Sequence, residues 1–232
     1  MERKKFLKQG IIGLSSIVAV PVTLVYCKKN DSSDVEIGDG CTLSPAETKG
    51  PFPIKTPSQL VLANIKSDRV GVAVLINLIL QNKNNNCAPK QGLFVDVWHC
   101  DKDGNYSEYG GSGMQPTDFR DAHFLRGRQS TDVNGQVSFL SIYPGWYHGR
   151  APHIHIEILS SSGASLLVTQ IAFPEKVSTE IYASSLYSSR GQADTSNGRD
   201  NVFSDSLANE LATITGNIVD GYTLTKTIVV NA

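Results

Sequence analysis

The sequence has no excess of charge of either sign: 21 Lys and Arg stand against 22 Asp and Glu, a formal net charge of −1. That balance removes the electrostatic footprint of a nucleic-acid binder, and no nucleic-acid partner is expected. The basic residues are scattered apart from one cluster at the amino end. Long helical periods are missing, and so is any internal repeat. With 40% hydrophobic residues in a chain of 232, one domain with a sizeable core, with or without appendages, accounts for the length.

The basic cluster lies in MERKKFLK and is followed by GIIGLSSIVAVPVTLVY and then Cys27. A basic start and a short apolar run form the pattern of an export signal. The run is near the minimum for a membrane span, and Pro21 and several Ser and Thr weaken it further as one. Arg3 to Lys8 also resembles a twin-arginine signal with lysine in the second arginine position. Leu24-Val25-Tyr26-Cys27 resembles a bacterial lipobox, although Tyr26 replaces the small residue that motif prefers. KKNDSSDVEIGDG follows, polar and coreless, as suits a flexible tether. The expected organisation is therefore an export signal of lipoprotein type over 1–27, a tether over 28–40 and one domain over 41–232. The protein is expected outside the cytoplasm, in the cell envelope, periplasm or outer surface, touching a membrane only through an acyl anchor at Cys27.

Cys41, Cys87 and Cys100 remain beyond that point. In an oxidising compartment an odd set suggests one disulfide and one spare thiol. Cys87 and Cys100 flank the strand-like LFVDVWH, whose ends would stand roughly 20 Å apart, too far to bridge. Cys41–Cys100 is the expected pair.

From about residue 41 short apolar runs alternate with turn residues. GVAVLINLIL, LFVDVWH, FLRGRQS, QVSFLSI, HIHIEIL, SLLVTQIAF and YTLTKTIVV all read as strands. NKNNNCAPKQG, DKDGN, DVNG and YPGW between them are turn material. So many short strands imply an all-β sandwich or barrel. Val177 to Ser206 is polar with little β pattern, and reads as a long loop with at most a short helix.

Within YPGWYHGRAPHIHIEI, His153 and His155 stand two residues apart. On a strand such residues share a face, while Ile154, Ile156 and Ile158 point the other way, into a core. An HxH pair of this kind can supply two neighbouring ligands to one metal. Alone the pair is as consistent with a bland surface or core pair as with a metal site.

The surrounding motifs are more specific. VDVWHCDKDGNYSEYG, CTLSPAETKGPFP, TDVNGQVSFLSIYPGWY, PGWYHGRAPHIH and VTQIAFPE resemble the intradiol ring-cleavage dioxygenases, in the family's order and over roughly residues 41 to 232. The likeness is greatest to the exported, single-chain relatives of catechol and protocatechuate dioxygenases. It implies an all-β sandwich of the intradiol type with long active-site loops. It also implies a ferric ion, Fe(III), held by Tyr106, Tyr147, His153 and His155. By the same resemblance Arg150 is the active-site arginine, and Gln170 lies just behind the ligands. The implied reaction cleaves a catechol-type ring between its hydroxylated carbons with O2, giving cis,cis-muconate-type products. The residue types suit such an ion independently, because a phenol, with a pKa near 10, ionises at neutral pH only beside a strong Lewis acid. Phenolates favour ferric iron, whereas ferrous oxygenases use two histidines and a carboxylate.

Each assignment has a plainer competitor. Tyr109 competes with Tyr106, and Tyr143 with Tyr147. Trp98 and Trp146 read as packing groups. His99 and His148 are expected behind the site or exposed, and His123 structural or solvent-facing. Arg126 and Arg128 alternate on a strand and read as a solvated face, with one of them able to border the pocket. Relative to the cytoplasmic members the resemblance departs in three places. Only His148 and Gly149 separate Tyr147 from Arg150, Phe52-Pro53 replaces an aromatic pair, and the helical dimerisation region has no counterpart before residue 41. These departures leave the substrate and the dimer open. A non-catalytic envelope sandwich that binds metal or aromatic ligands is the alternative in another class. A cupin-type HxH enzyme is a third, but its second histidine and glutamate are missing at suitable spacing.

Overall fold

In the computed structural model, which describes residues 41–111 and 113–232, nine strands form two sheets. They are β1 (Ala73–Asn82), β2 (Ala88–Pro89), β3 (Phe94–Trp98), β4 (Arg126–Ser130), β5 (Gln136–Ile142), β6 (His153–Leu159), β7 (Ser165–Ala172), β8 (Thr213–Asn217) and β9 (Gly221–Val230). The first sheet runs β2-β1-β9-β8, with β5 paired along β1 as well; the second runs β4-β3-β6-β7. All pairings are antiparallel except that of β1 with β9.

Period-2 alternation builds the core between these sheets. Along β1, Val74, Ile76, Leu78 and Leu80 are buried, while Leu75 on the opposite face is exposed. They meet Val95 and Val97 of β3, Phe139 of β5, Ile154, Ile156 and Ile158 of β6, and Leu224 and Ile228 of β9. The turn from β4 into β5, which crosses between the sheets, needs its glycine. Gly135 has φ +70°, and a Cβ there would lie 2.4 Å from the Leu80 carbonyl oxygen.

All seven residues of β6 are buried, so its second face is covered too. Residues 47–56 form a strap across that outer face. The Glu47 amide donates to the Val168 carbonyl at 2.7 Å, and Gln170 Nε2 donates to the Thr48 carbonyl at 2.9 Å. The long polar stretch after β7 supplies another cover. It contains the helix α1 (Glu175–Tyr182), and the four-residue α2 (Leu207–Glu210) follows it. The reading of Val177 to Ser206 as loop with a short helix therefore holds, with α1 starting two residues earlier. β8 was not legible as a strand: Thr213-Ile214-Thr215-Gly216-Asn217 lies at the sheet edge and buries no residue fully.

The disulfide joins Cys41 to Cys87, with Cα atoms 5.7 Å apart, and not to Cys100 as the sequence suggested. The cause is non-local pairing. Ser44 hydrogen-bonds Val229 of β9 through both its amide and its hydroxyl, and Val229 lies opposite Gln81 at the end of β1. The Cys87 amide donates to the Asn82 carbonyl just beyond, so β9 brings the two cysteines to one corner. Cys100 is instead buried among Phe52, Trp98 and Tyr106, where burial pushes its thiol far up. The candidate export signal, tether and Cys27 lie outside the described residues.

A non-reducing peptide map should link Cys41 to Cys87, and native Cys100 should resist alkylation until the protein unfolds. Replacing both bridged cysteines by alanine, which opens a loop of 46 residues, should lower stability by about 3–4 kcal/mol in urea titrations. A thiol count that frees Cys41 in native protein would contradict the pairing.

Candidate metal centre

Strand register assembles the site. Arg126 of β4 lies opposite Trp98 of β3, Trp98 opposite His155 of β6, and His155 opposite Gln170 of β7. Directly paired residues project to the same side, so these four side chains form one row across the outer face. His153 stands one pleat along the same face.

The two imidazoles are held by different means. His153 Nδ1 donates to the Ala151 carbonyl at 2.6 Å, which leaves Nε2 as the unprotonated nitrogen. His155 is held by packing: Trp98 stacks on it with centroids 5.0 Å apart and planes 3° from parallel. On the strap side, Gly50 has φ +66°, and a Cβ there would stand 2.9 Å from His155 Cε1. Burial, followed by the charge of Arg150, depresses His153 to about 3. Burial, then His153 and Arg150, also holds His155 well below its usual value. Both rings are therefore neutral at physiological pH.

Their Nε2 atoms face each other at 3.1 Å, and the Tyr106 hydroxyl lies 3.3 Å from His153 Nε2. Neither tautomer of His155 satisfies both of its ring nitrogens, because Nδ1 is buried with no hydrogen-bond partner while Nε2 faces the lone pair of His153. A cation that drew on both imidazole lone pairs and displaced the phenolic proton would resolve it. Among the described residues no group of three or more His, Cys, Asp or Glu could hold a metal. Any cation here must take its remaining donors from phenols, and the residues fit a hard ion of high charge.

Tyr106 is fully buried, and the side chain of Gln115 pairs with both its amide and its carbonyl at 2.6 and 2.8 Å. Tyr147 is half-buried on the loop after β5, its ring 5.5 Å from that of His153 and 5.9 Å from that of Tyr106. Burial raises the pKa of both phenols, so neither ionises without a nearby cation. Phe52 caps the cluster, stacked 4.7 Å from Tyr106 and edge-on to Tyr147.

Arg150 completes the group. Its Nη1 donates to the Tyr147 hydroxyl at 3.4 Å, and its Nη2 to Gln170 Oε1 at 2.6 Å. Its Nε donates to both oxygens of Asp200, a fully buried residue that sequence reasoning passed over. Gly50 and Phe52 also acquire a role only in three dimensions, although the motif ETKGPFP marked their segment.

The competitors separate clearly. The Tyr109 hydroxyl donates to the Pro53 carbonyl and its ring packs on Phe52. Tyr143 belongs to the inter-sheet core and bonds Ser178. Trp98 does pack, but its partner is a site histidine; Trp146 donates to the Gly191 carbonyl. His99 is buried against Ser141, His148 is exposed, and His123 is half-exposed beside Glu108. Arg126 overturns its reading as a solvated group. Its side chain is wholly buried, donating to Ser107 Oγ, the Ser107 carbonyl and the Phe52 carbonyl, with Glu108 at 3.6 Å. Burial brings it down to about 10, still a cation at neutral pH. Arg128, next along the strand, pairs with Asp96 and is only partly covered.

Comparison with known proteins adds a family likeness to this geometry. A family model described as "Dioxygenase" matches residues 50–193. The intradiol ring-cleavage dioxygenase from Tetranychus urticae is 31% identical with a TM-score of 0.73, over 82% of this chain and 95% of that one. Chlorocatechol 1,2-dioxygenase of Rhodococcus opacus is 32% identical over 110 residues, 39% of this chain and 40% of that protein. The protocatechuate 3,4-dioxygenase beta chain of Burkholderia cepacia is 35% identical over 94 residues, 37% of this chain and 39% of that one. The chain thus spans about two fifths of the length of these two curated relatives.

Arg126→Ala should destabilise the protein by about 3 kcal/mol or more in urea titrations, because it strands buried acceptors and a carboxylate. Removing the exposed Asp118 partner of Arg120 should change nothing measurable. Equal effects from the two would mean that burial of Arg126 is not what gives it weight.

Proposed function

Because the chain belongs to the intradiol ring-cleavage dioxygenases, we propose that it is a non-haem Fe(III) enzyme that cleaves catechol-type rings between the two hydroxylated carbons with O2. The products are of the cis,cis-muconate type. The observation that carries this reading is the convergence of His153 Nε2, His155 Nε2 and the Tyr106 hydroxyl, with Tyr147 beside them under Arg150. His153, His155, Tyr106 and Tyr147 would hold the ion. Bound there, a ferric ion would supply the Lewis acidity that ionises the phenols and activates a chelated catechol towards O2.

The side chains divide the remaining work. Tyr106, clamped by Gln115 and buried, stays a fixed donor. Tyr147 is half-exposed and already accepts a hydrogen bond from Arg150 Nη1, so its oxygen can give way to substrate and take up a catechol proton. Arg150 then faces the place where negative charge develops, held there beforehand by Gln170 and Asp200. Phe52 and the strap keep water from the two imidazoles. A binding module that performs no turnover would have no use for an arginine fixed at three points beside a displaceable phenol.

The proposal extends to location. The Cys41–Cys87 disulfide supports an oxidising compartment, and the residues before 41 carry the export and lipobox-like patterns. Attachment through Cys27 to an envelope membrane follows, since stable anchoring takes more than one acyl chain.

Iron-reconstituted protein should be reddish, with about one ferric ion per chain and a phenolate-to-iron absorption band. Tyr147→Phe should shift or bleach that band, whereas Tyr109→Phe should leave it nearly unchanged. Colourless protein that takes only zinc would sink the dioxygenase reading. Independently, labelled fatty acid should enter the wild-type chain and not Cys27→Ala; absence of label from both would replace the anchor with simple signal cleavage.

A further inference from the structure

The carboxylate that holds Arg150 in the proposed chemistry is fully buried and makes more bonds than that ion pair alone. Asp200 follows a single 3-10 turn (Asn197–Arg199) on the loop after α1. Its Oδ2 accepts from Arg150 Nε at 2.8 Å and from the Ala151 amide at 2.7 Å. Its Oδ1 accepts from Arg150 Nε at 3.0 Å and from the Val202 amide at 2.9 Å. Three separate N–H groups therefore converge on one carboxylate, more than an ion pair requires.

Two consequences follow from which atoms are engaged. A guanidinium is planar, so fixing Nε fixes the plane and the direction of both terminal nitrogens. Asp200 occupies the Nε edge and Gln170 takes Nη2, which leaves Nη1 turned towards Tyr147. A free arginine could rotate any of its donors into the site; this one presents a single edge. Asp200 also holds the amide of Ala151, whose carbonyl receives the proton of His153 Nδ1. The backbone of one alanine thus joins the carboxylate to the imidazole and helps fix its tautomer. Phe203 closes the group from the same loop, 5.6 Å from Arg150 and 6.4 Å from His153.

We propose that Asp200 is a positioning residue for the ring-cleavage site, setting which edge of Arg150 meets Tyr147 and the substrate and steadying His153 through Ala151. The inference rests on the dioxygenase reading for its kinetic part, but not for its structural part. Orienting partners of this kind typically alter activity or metal affinity about 10- to 100-fold.

Asp200→Asn keeps the shape and an acceptor for Ala151 but removes the charge that orders Arg150. In iron-free protein the Arg150 Nε–H resonance should be protected from solvent exchange in the wild type and lose that protection in the variant. In iron-loaded protein the absorption maximum should shift, because Nη1 no longer polarises the Tyr147 oxygen in the same way. With catechol as substrate, kcat per bound iron should fall about 10-fold or more. In an Arg150→Met background the same substitution should cost little further, since the carboxylate acts through the arginine. Asp200→Glu should recover part of the Nε–H protection and serves as the second variant if Asp200→Asn does not fold. An Nε–H resonance that stays protected in the variant, or losses that simply add in the double variant, would overturn the proposal. Wild type that orders Arg150 yet turns over no catechol would overturn the dioxygenase reading and leave the positioning of Arg150 standing.

Discussion

Burying both faces of β6 is the constraint from which the rest of the site follows. A strand with Ile154, Ile156 and Ile158 on its inner face needs no more than a second sheet opposite. The outer face carries His153, His155 and Glu157, and polar groups can be buried only where each finds a partner or a reason. The strap, the Tyr106 loop and the Asp200 loop supply that cover. They bring Gly50, Phe52, Tyr106, Arg150 and Phe203 against the two imidazoles as they do so. Desolvation keeps both rings neutral, and neutral rings whose Nε2 atoms face one another are what a metal requires.

The cover also sets the energetic character of the site. Arg126 and Arg150 are deeply buried cations, and each is surrounded by acceptors from loops distant in sequence. Neither is a surface charge that happens to lie near a pocket. Each ties a loop to the sheet, so the positions of the strap and of the Asp200 loop depend on the same guanidinium groups that border the chemistry. Such pairs are costly to break and add specificity more than net stability.

What the sequence disclosed divides along a physical line. Local periodicity exposed seven of the nine strands and placed His153 and His155 on one face, because side-chain direction within a strand is a local property. The motif order carried Tyr106, Tyr147 and Arg150. It could not show which alternating positions would be wet. Arg126 and Arg128 lie on the same face of β4, yet Ser107 and Phe52 enclose Arg126 completely while Arg128 keeps a partly exposed side chain beside Asp96. The disulfide escaped for a similar reason: Cys41 meets Cys87 only because β9 pairs with β1. β8 is a Thr- and Gly-containing edge strand with nothing buried, so it left no apolar signature. Asp200 lies in a stretch without periodicity, where a single carboxylate looks like any other.

The parallel pairing of β1 with β9 has a kinetic consequence. Val74 lies opposite Tyr222 and Asn82 opposite Val230, so an inner ladder of the first sheet joins residues near opposite ends of the described chain. Contacts of such sequence separation slow folding, because a long loop must close before any of them forms. While the chain is being synthesised, β1 can pair with β5 but keeps its other edge open until residues 221–230 have emerged. The corner that fixes Cys41 and begins the strap is built on that same ladder. The end of the strap that lies beyond Ser44 therefore gains its last anchor late in assembly, after the contacts to β6 and β7 that hold its middle over His155.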